Sequence, residues 1–520
     1  MSIVRRSVCA LAWLTAITVA LSAAIPSAGA ASQKPRSGGT ATFLVSGDAV
    51  SLDNVRLTAP GGTGSNTAAL FVYDSLVTID PITNKPMMRL AQSLKSSPDA
   101  KVWTLKLRAG LTFSDGTPLD AAAVVVNWDR HKIPALASTC STTVANLGTY
   151  VAQDATTVVV TLPQARVGFP VLLGQCLGQI QSPTAVAKYG ATYGSTPESV
   201  VGAGPYVVKD WVRGSQMTLT RNPNYWDKPR PYIDTMVLKP VTDAAQKLSA
   251  FQLGQADFAY FVSLDEQVAG LKAQGATLYG SPPAGGGADV AFNQSVPGLD
   301  DVRIRRALVL ATDPADLNVK AAGGASKMVD TFFVKGSAHY NANVRQKSND
   351  LKEAQKLVDE YTAEHGPLTL TFTLADSLTA WGTAQVQQWN RLNGLTIELE
   401  VVPAIQTNTR LTLGNWQMAV TALAGADPET LYNIMYSTGR GNVIHYNNPK
   451  VDAALTQLLG ETNPAKQQEL YTTISKAFLD DAAVVYWYRV LLPVAISSKV
   501  AGVVPFNNSQ PDYTKLWLKS

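Results

Sequence analysis

A chain of 520 residues with 46% hydrophobic and 16% charged content, 43 basic residues against 39 acidic ones and a net charge of +4 is not a disordered polymer, which carries less apolar residue and more net charge. It is not a nucleic-acid binder either, because such proteins carry a larger and clustered basic surplus, and its 38 glycines lie near ordinary usage, which excludes a collagen-like repeat. The length exceeds the roughly 250–300 residues at which a single core stops growing, so at least two lobes are expected.

The chain starts with a leader. Arg5 and Arg6 precede an apolar run from Val8 to Ile25, and Ala28-Gly29-Ala30 supplies small residues for a signal peptidase. Residues 1–30 are expected to be removed after Ala30. A membrane anchor is the competing reading, since the run approaches the length of a spanning helix, but Pro26 and the Ala-Gly-Ala stretch argue against it. No Cys follows the run, so no lipid anchor is expected, and Ser7, Val8 and Cys9 fit a twin-arginine signal poorly. Two basic and no acidic residues leave with the leader, which takes the charge from +4 to +2.

Of three cysteines, Cys9 leaves with the leader, and Cys140 and Cys176 remain. In an oxidising compartment they are expected to form a disulfide, which closes a loop of about 36 residues and stabilises by roughly 3–4 kcal/mol in the loop-entropy picture. Two free buried thiols are the alternative. His131, His339, His365 and His445 are scattered and, with two Cys at this spacing, match no zinc-ligand pattern. No metal is expected.

Further along, Thr40–Ser46 reads as a strand, Gly61–Asn66 as a glycine-rich loop, and the residues up to Leu76 as a helix. Val102–Arg108 alternates, with Trp103, Leu105 and Leu107 on one face. Asp120 is placed to cap a helix from Ala121 to Trp128. Arg213-Gly214-Ser215 reads as a hairpin turn before an alternating strand at Gln216–Thr220. Beyond Asp300 helices and strands alternate. Leu351, Ala354, Leu357, Val358 and Tyr361 share one helical face. Leu368–Leu374 and Leu395–Val402 read as strands around a helix at Trp381–Leu392, a βαβ unit with a partly parallel sheet. Asn448-Pro449 and Asn463-Pro464 each place Asn at a helix N-cap and Pro at the first helical position.

Catalytic signatures are missing: there is no G-x-S-x-G elbow, no H-E-x-x-H and no P-loop. Gly202-Ala203-Gly204 begins like a dinucleotide fingerprint, but Pro205-Tyr206-Val207 follows it. No cofactor and no enzymatic activity are expected. A secreted hydrolase is the reading that these absences disfavour.

Several blocks occur together in order: Tyr73-Asp74-Ser75-Leu76-Val77 with Asp80-Pro81; Trp103 to Gly110 leading into Phe113-Ser114-Asp115-Gly116-Thr117-Pro118-Leu119; Gly202-Ala203-Gly204-Pro205-Tyr206 with Trp211 and Gly214; Arg221-Asn222-Pro223-Asn224-Tyr225-Trp226; Phe292-Asn293; Asp301 to Leu308; and Tyr446-Asn447-Asn448-Pro449-Lys450-Val451-Asp452. In these blocks the chain resembles the family 5 extracellular solute-binding proteins of ABC transporters, which include dipeptide, oligopeptide and nickel binders. Most of the blocks also read as turns, caps and core plugs that specify the fold. The resemblance implies an α/β, two-lobe periplasmic-binding-protein fold of type II, in the large subclass with an extra subdomain in lobe I. It implies lobe I from 31–72, an inserted subdomain at 73–195, lobe I again at 196–292, lobe II at 293–486 and a return to lobe I at 487–520. It further implies hinges near Phe292 and Trp487, a small solute held between the lobes, delivery to a membrane permease, a monomeric protein and an extracytoplasmic location. A sensor that presents its closed form to a chemoreceptor shares this architecture.

From lobe I, the resemblance places Gly62, Thr63, Ser65 and Asn66 at the ligand. From lobe II, Ser377 or Thr379 would open a helix whose N-terminus favours an anionic group, Trp381 would stack on the ligand or pack in the core, and Ala424 and Asp427 would border it. Two departures stand out. Peptide-binding relatives grip the ligand's amino group with an Asp ahead of an Asp-Pro or Glu-Pro pair; here the pair is Asp427-Pro428, and Ala424 stands at the Asp position. Relatives that hold a peptide carboxylate use an Arg after Leu374, yet 367–390 contains no Lys or Arg. A zwitterion would therefore be left with buried unpaired charges, at several kcal/mol each. A neutral or singly charged organic molecule, aromatic among the options, is the leading expectation, and a di- or oligopeptide is the alternative.

Overall fold

The computed structural model describes residues 34–519 apart from 58–63, 81–84, 139, 176, 262–269, 273, 280–286, 325, 334, 336, 422, 424, 426, 489–493 and 508–509. The expected leader with its expected cleavage point, Gly62, Thr63, Cys176 and Ala424 therefore lie outside the described residues.

Three sheets organise the chain. The sheet of lobe I has seven strands in the order Thr277–Tyr279, Val494–Ile496, Phe258–Tyr260, Thr40–Val45, Thr235–Pro240, Gln216–Arg221 and Tyr206–Val212. The strand Thr40–Val45 runs parallel to both its neighbours, and the other pairs are antiparallel. The turn at Arg213-Gly214-Ser215 joins Tyr206–Val212 to Gln216–Arg221, as the hairpin pattern predicts. The sheet of lobe II has five strands: Leu395–Val402, Leu368–Ala375, Met418–Thr421, Ala288–Phe292 and Val484–Tyr488. Its βαβ unit is present. Leu368–Ala375 pairs in parallel with Leu395–Val402 across the helix Thr379–Trp389.

The third sheet, antiparallel and four-stranded, carries the order Ala91–Ser96, Val102–Leu107, Thr157–Thr161 and Thr149–Asp154. Alternation in Val102–Leu107 buries Trp103, Leu105 and Leu107 against the helix Ala121–Arg130, where Trp128 is fully buried and donates its indole N–H to the Leu177 carbonyl at 2.9 Å. Asp120 caps that helix by accepting from the Ala123 N–H, which satisfies one of the unpaired N–H groups of the first turn. Asn448 and Asn463 cap the helices Pro449–Gly460 and Pro464–Asp480 in the same way, and Asp301 caps Val302–Leu310.

The helix expected to reach Leu76 spans only Gly64–Val72, and its first turn takes up Gly64, Ser65 and Asn66 from the expected glycine-rich loop. The shortening has a packing cause. The Gly204 N–H bonds the Val72 carbonyl at 2.8 Å, and a Cβ on Gly204 would stand 2.4 Å from Val72 backbone. Leu76 meanwhile donates to the Gly178 carbonyl as a strand edge. The Gly202-Ala203-Gly204 motif is thus a close backbone approach, with no role in cradling a phosphate.

Buried ion pairs tie the third sheet's layer to lobe I. Arg130 holds Asp53 through both carboxylate oxygens, at 3.2 and 3.0 Å, and Gln181 adds a bond at 3.1 Å. Beside them His131 is buried, with Nδ1 2.7 Å from Ser138 Oγ. Burial, and then the Arg130 guanidinium, pull its imidazole down from 6.5 to about 4, against an upward pull from Asp53. The folded value lies below the unfolded one, so the unfolded chain takes the extra proton and stability is lost as pH falls from 6.5 towards 4. That difference is worth up to about 3 kcal/mol. His131→Asn is expected to flatten the dependence of the urea midpoint on pH across this window, and an unchanged slope would refute it.

Candidate functional site between the lobes

The chain leaves the lobe I sheet after Tyr279 and enters the lobe II sheet at Ala288, and it leaves the lobe II sheet after Tyr488 and re-enters the lobe I sheet at Val494. On the lobe I side Tyr279 pairs with Val494, and on the lobe II side Ala288 pairs with Tyr488, so the two crossings run between neighbouring strands at both ends. Phe292 and Trp487 lie further in. Both are fully buried, Phe292 pairs with Met418, and the Trp487 indole donates to Gln385 Oε1 at 2.8 Å. Phe292 stands in the ladder, while Trp487 falls at the register shift between Tyr486 and Tyr488.

Trp381 packs against this exit. Its ring centroid lies 5.4 Å from that of Trp487 and 4.4 Å from that of Tyr488. It is buried in the lobe II core, so of the two roles weighed for it the closed packing supplies the core role. Ser377 is exposed in the short turn Asp376–Leu378, and its N–H donates to the Asp376 carboxylate. The N-terminal end of the helix Thr379–Trp389 thus already has an acid of its own beside it. Asp427 caps the helix Pro428–Met435 by accepting from the N–H and hydroxyl of Thr430. On the lobe I side Ser65 Oγ accepts from the Val50 N–H at 2.9 Å, and Asn66 is half-buried. Cys140 is disulfide-bonded.

Sequence reasoning missed two features. One is a direct seam between the subdomain layer and lobe II. Arg166 Nη1 meets Glu429 Oε2 at 3.0 Å, both side chains buried. The Val167 N–H donates to the Leu459 carbonyl at 2.8 Å, and Arg440 donates to Ser141 Oγ at 2.7 Å. The chains approach so closely that a Cβ on Gly168 would sit 2.7 Å from Glu429 Cγ. The other is Asp289, a fully buried acid in the otherwise apolar strand Ala288–Phe292. Its only sequence signal is a charge inside that run. Burial pushes its carboxyl well up, with a small opposing pull from the Leu423 N–H.

A separate cleft of ≈ 530 Å³, open to solvent, is lined by Tyr73, Asp74, Arg89 and Asp512 among others. Its charges answer one another, since Arg89 is 3.1 Å from Asp74 and 3.9 Å from Asp512.

The family model for bacterial extracellular solute-binding proteins, family 5, matches residues 85–443. The chain belongs to this family. It is similar to the probable D,D-dipeptide-binding periplasmic protein DdpA of Escherichia coli K12, with 27% identity over 429 residues covering 80% of this chain and 81% of the relative. It is also similar to the glutathione-binding protein GsiB of the same strain, with 27% identity over 470 residues covering 83% and 88%. Among solved structures, AgaA of A. tumefaciens R10 in complex with agropinic acid superposes with a TM-score of 0.82 at 20% identity, over 93% of this chain and 99% of that one. DppA of Helicobacter pylori in complex with the peptide STSA gives 0.81 at 21%, over 93% and 99%. At these identities the structures support the fold, and it is the expected two-lobe fold. As a family 5 member, the chain is a solute-binding component of an ABC importer, and such proteins work outside the cytoplasm with a membrane permease. No helix among the described residues is long and apolar enough to cross a membrane.

Proposed function

We propose that the protein, freed of residues 1–30, captures one small organic solute between its lobes as a monomer and that the solute is neutral or singly charged, aromatic compounds included. Gly62, Thr63, Ser65 and Asn66 would meet it from lobe I, and Ser377, Ala424 and Asp427 would border it from lobe II. Cys140 would pair with Cys176. The observation that carries the ligand class is the charge of lobe II: 367–390 holds no Lys or Arg, and Asp376 stands at the helix end where a ligand carboxylate would otherwise be favoured. A peptide is the second reading, and the likeness to the D,D-dipeptide- and glutathione-binding relatives favours it.

A thermal-shift screen separates the two. A true ligand at a hundredfold its Kd stabilises by about 2.7 kcal/mol. Amines, neutral aromatic compounds and neutral polar organics are expected to raise the Tm, whereas dipeptides, glutathione and agropinic acid are not. Strong stabilisation by dipeptides with none by the first group would transfer the assignment to peptides.

A further inference from the structure

We propose that Asp289, Thr421 and Tyr486 form a subsite for a cationic nitrogen of the solute, a protonated amine or a guanidine. The inference rests on the reading that a solute is captured between the lobes, and it names the group by which lobe II would hold it.

Asp289 is the second residue of its strand, and its register partners on the two flanking strands are Thr421 and Tyr486. Paired residues point to the same face of a sheet, so the three side chains converge. Each presents a buried oxygen with no hydrogen-bond partner among the described residues: Asp289 Oδ1, Thr421 Oγ1 and the Tyr486 hydroxyl. Asp289 is 0% and Tyr486 1% exposed. Among the described residues the other Asp289 oxygen accepts only the Leu423 N–H, at 3.3 Å. Native proteins rarely leave buried polar atoms unpaired, and three orphans in register mark a place where a partner is missing.

Charge identifies that partner. A carboxylate only accepts, and a hydroxyl can accept as well, whereas an ammonium offers three donors and no acceptor. The ionisable groups that bear on this corner are Tyr486 itself and Tyr446 behind it. Among the described residues no Lys, Arg or His bonds or pairs with Asp289. The position fits a ligand as well. Thr421 ends its strand, and that end is the carboxyl end of the two parallel strands Leu368–Ala375 and Met418–Thr421, where open α/β sheets take ligands. Asp289 is one residue inside the exit of the chain towards lobe I. With the site empty, the buried carboxyl holds its proton, because burial drives it upward. A bound cation makes the carboxylate the favoured form, so the carboxyl proton passes to solvent on binding.

The test uses the whole mature chain with phenethylamine and agmatine as probes, each beside its N-acetylated counterpart, which lacks the amine charge. Thermal shift finds binding, and calorimetry at neutral pH in two buffers of different ionisation enthalpy counts protons. The amines are expected to stabilise the protein and to release close to one proton, and their acetylated forms to do neither. Asp289→Asn, isosteric with the neutral carboxyl and expected to keep the unliganded Tm, should weaken amine binding roughly 10–100-fold and abolish proton release. Tyr486→Phe should weaken binding yet keep the release. Amine binding that Asp289→Asn leaves intact, or that releases no proton in the wild-type protein, overturns the proposal while capture between the lobes stands. Binding of other solutes but of no amine does the same. Silence across every solute in both screens would bring down the capture reading together with it.

Discussion

Arg166→Met is expected to loosen the contact between the subdomain and lobe II, and to do so far more on the alkaline side of about 7 than on the acidic side. The Arg166–Glu429 pair joins residues 263 apart in sequence, both buried, yet it rests on a single short contact. Arg166 Nε and Glu429 Oε1 have no hydrogen-bond partner among the described residues. Burial pushes the Glu429 carboxyl up to about 7, Arg166 pulls it down and Asp427 pushes it up again. The folded value lies above the ordinary 4.5, so the contribution of this group is fully present below 4.5 and is lost as pH rises through about 7. Without Arg166 the carboxyl rises further. On the acidic side it simply keeps its proton, and the variant loses little. On the alkaline side an unpaired buried carboxylate remains, and breaking such a pair costs about 3–5 kcal/mol. Urea unfolding on both sides of that value measures the difference. The double replacement Arg166→Met with Glu429→Met should recover most of the loss, because a buried pair exchanged for apolar groups is often neutral or better. Equal midpoints for the single variant and the wild-type protein at alkaline pH would show that the seam carries no energy. As the contact spans the lobes, part of the loss should also appear as opening, read as a larger radius of gyration by small-angle scattering.

That seam is the kind of feature the sequence does not reveal. Signals that act within about twenty residues were legible: Asp120, Asn448 and Asn463 as caps, the hairpin at Gly214, and the βαβ unit from Leu368 to Val402 all follow from side-chain chemistry or periodicity close at hand. Arg166 and Glu429 each read as an ordinary surface charge, because nothing local shows that a distant segment will bury it. Asp289 is harder still. An acid in an apolar strand signals something, but its meaning depends on Thr421 and Tyr486, which reach it only through register. Apolar alternation marks a strand but not where it leaves its sheet. Trp381 was open between ligand and core, since a tryptophan on a helix serves either, and only its packing on Trp487 and Tyr488 shows which surface it fills.

The largest single loss of stability is expected from Asp74→Ala. In sequence Asp74 belongs to one block and Tyr225-Trp226 to another, 151 residues on, and the aromatic pair reads as a core plug. The structure joins them. Asp74 accepts from Arg89 Nε at 3.1 Å and Nη2 at 3.3 Å, from the Tyr225 hydroxyl at 3.1 Å, from the Trp226 indole N–H at 2.8 Å and from the Ser75 N–H at 2.8 Å. Tyr225 in turn accepts from Arg89 at 2.8 Å, so the network is closed and cooperative. Asp74 and Arg89 are buried, and the guanidinium is held more firmly charged than usual by Asp74, Tyr225 and Asp512 against the cost of its burial. Truncating Asp74 removes the acceptor for all of these donors and leaves Asp512, at 3.9 Å, as the acid beside Arg89. A loss of about 3–5 kcal/mol is expected, read as a lower urea midpoint with the slope unchanged. Asp74→Asn keeps one acceptor oxygen and the shape but sets an N–H₂ against donors, so it should fall between the wild-type protein and the Ala variant. Adding Arg89→Met to Asp74→Ala should restore part of the loss, since the stranded charge goes with it. An Ala variant as stable as the wild-type protein would mean that Asp512 or water takes over every bond, and that the network fixes geometry without contributing stability.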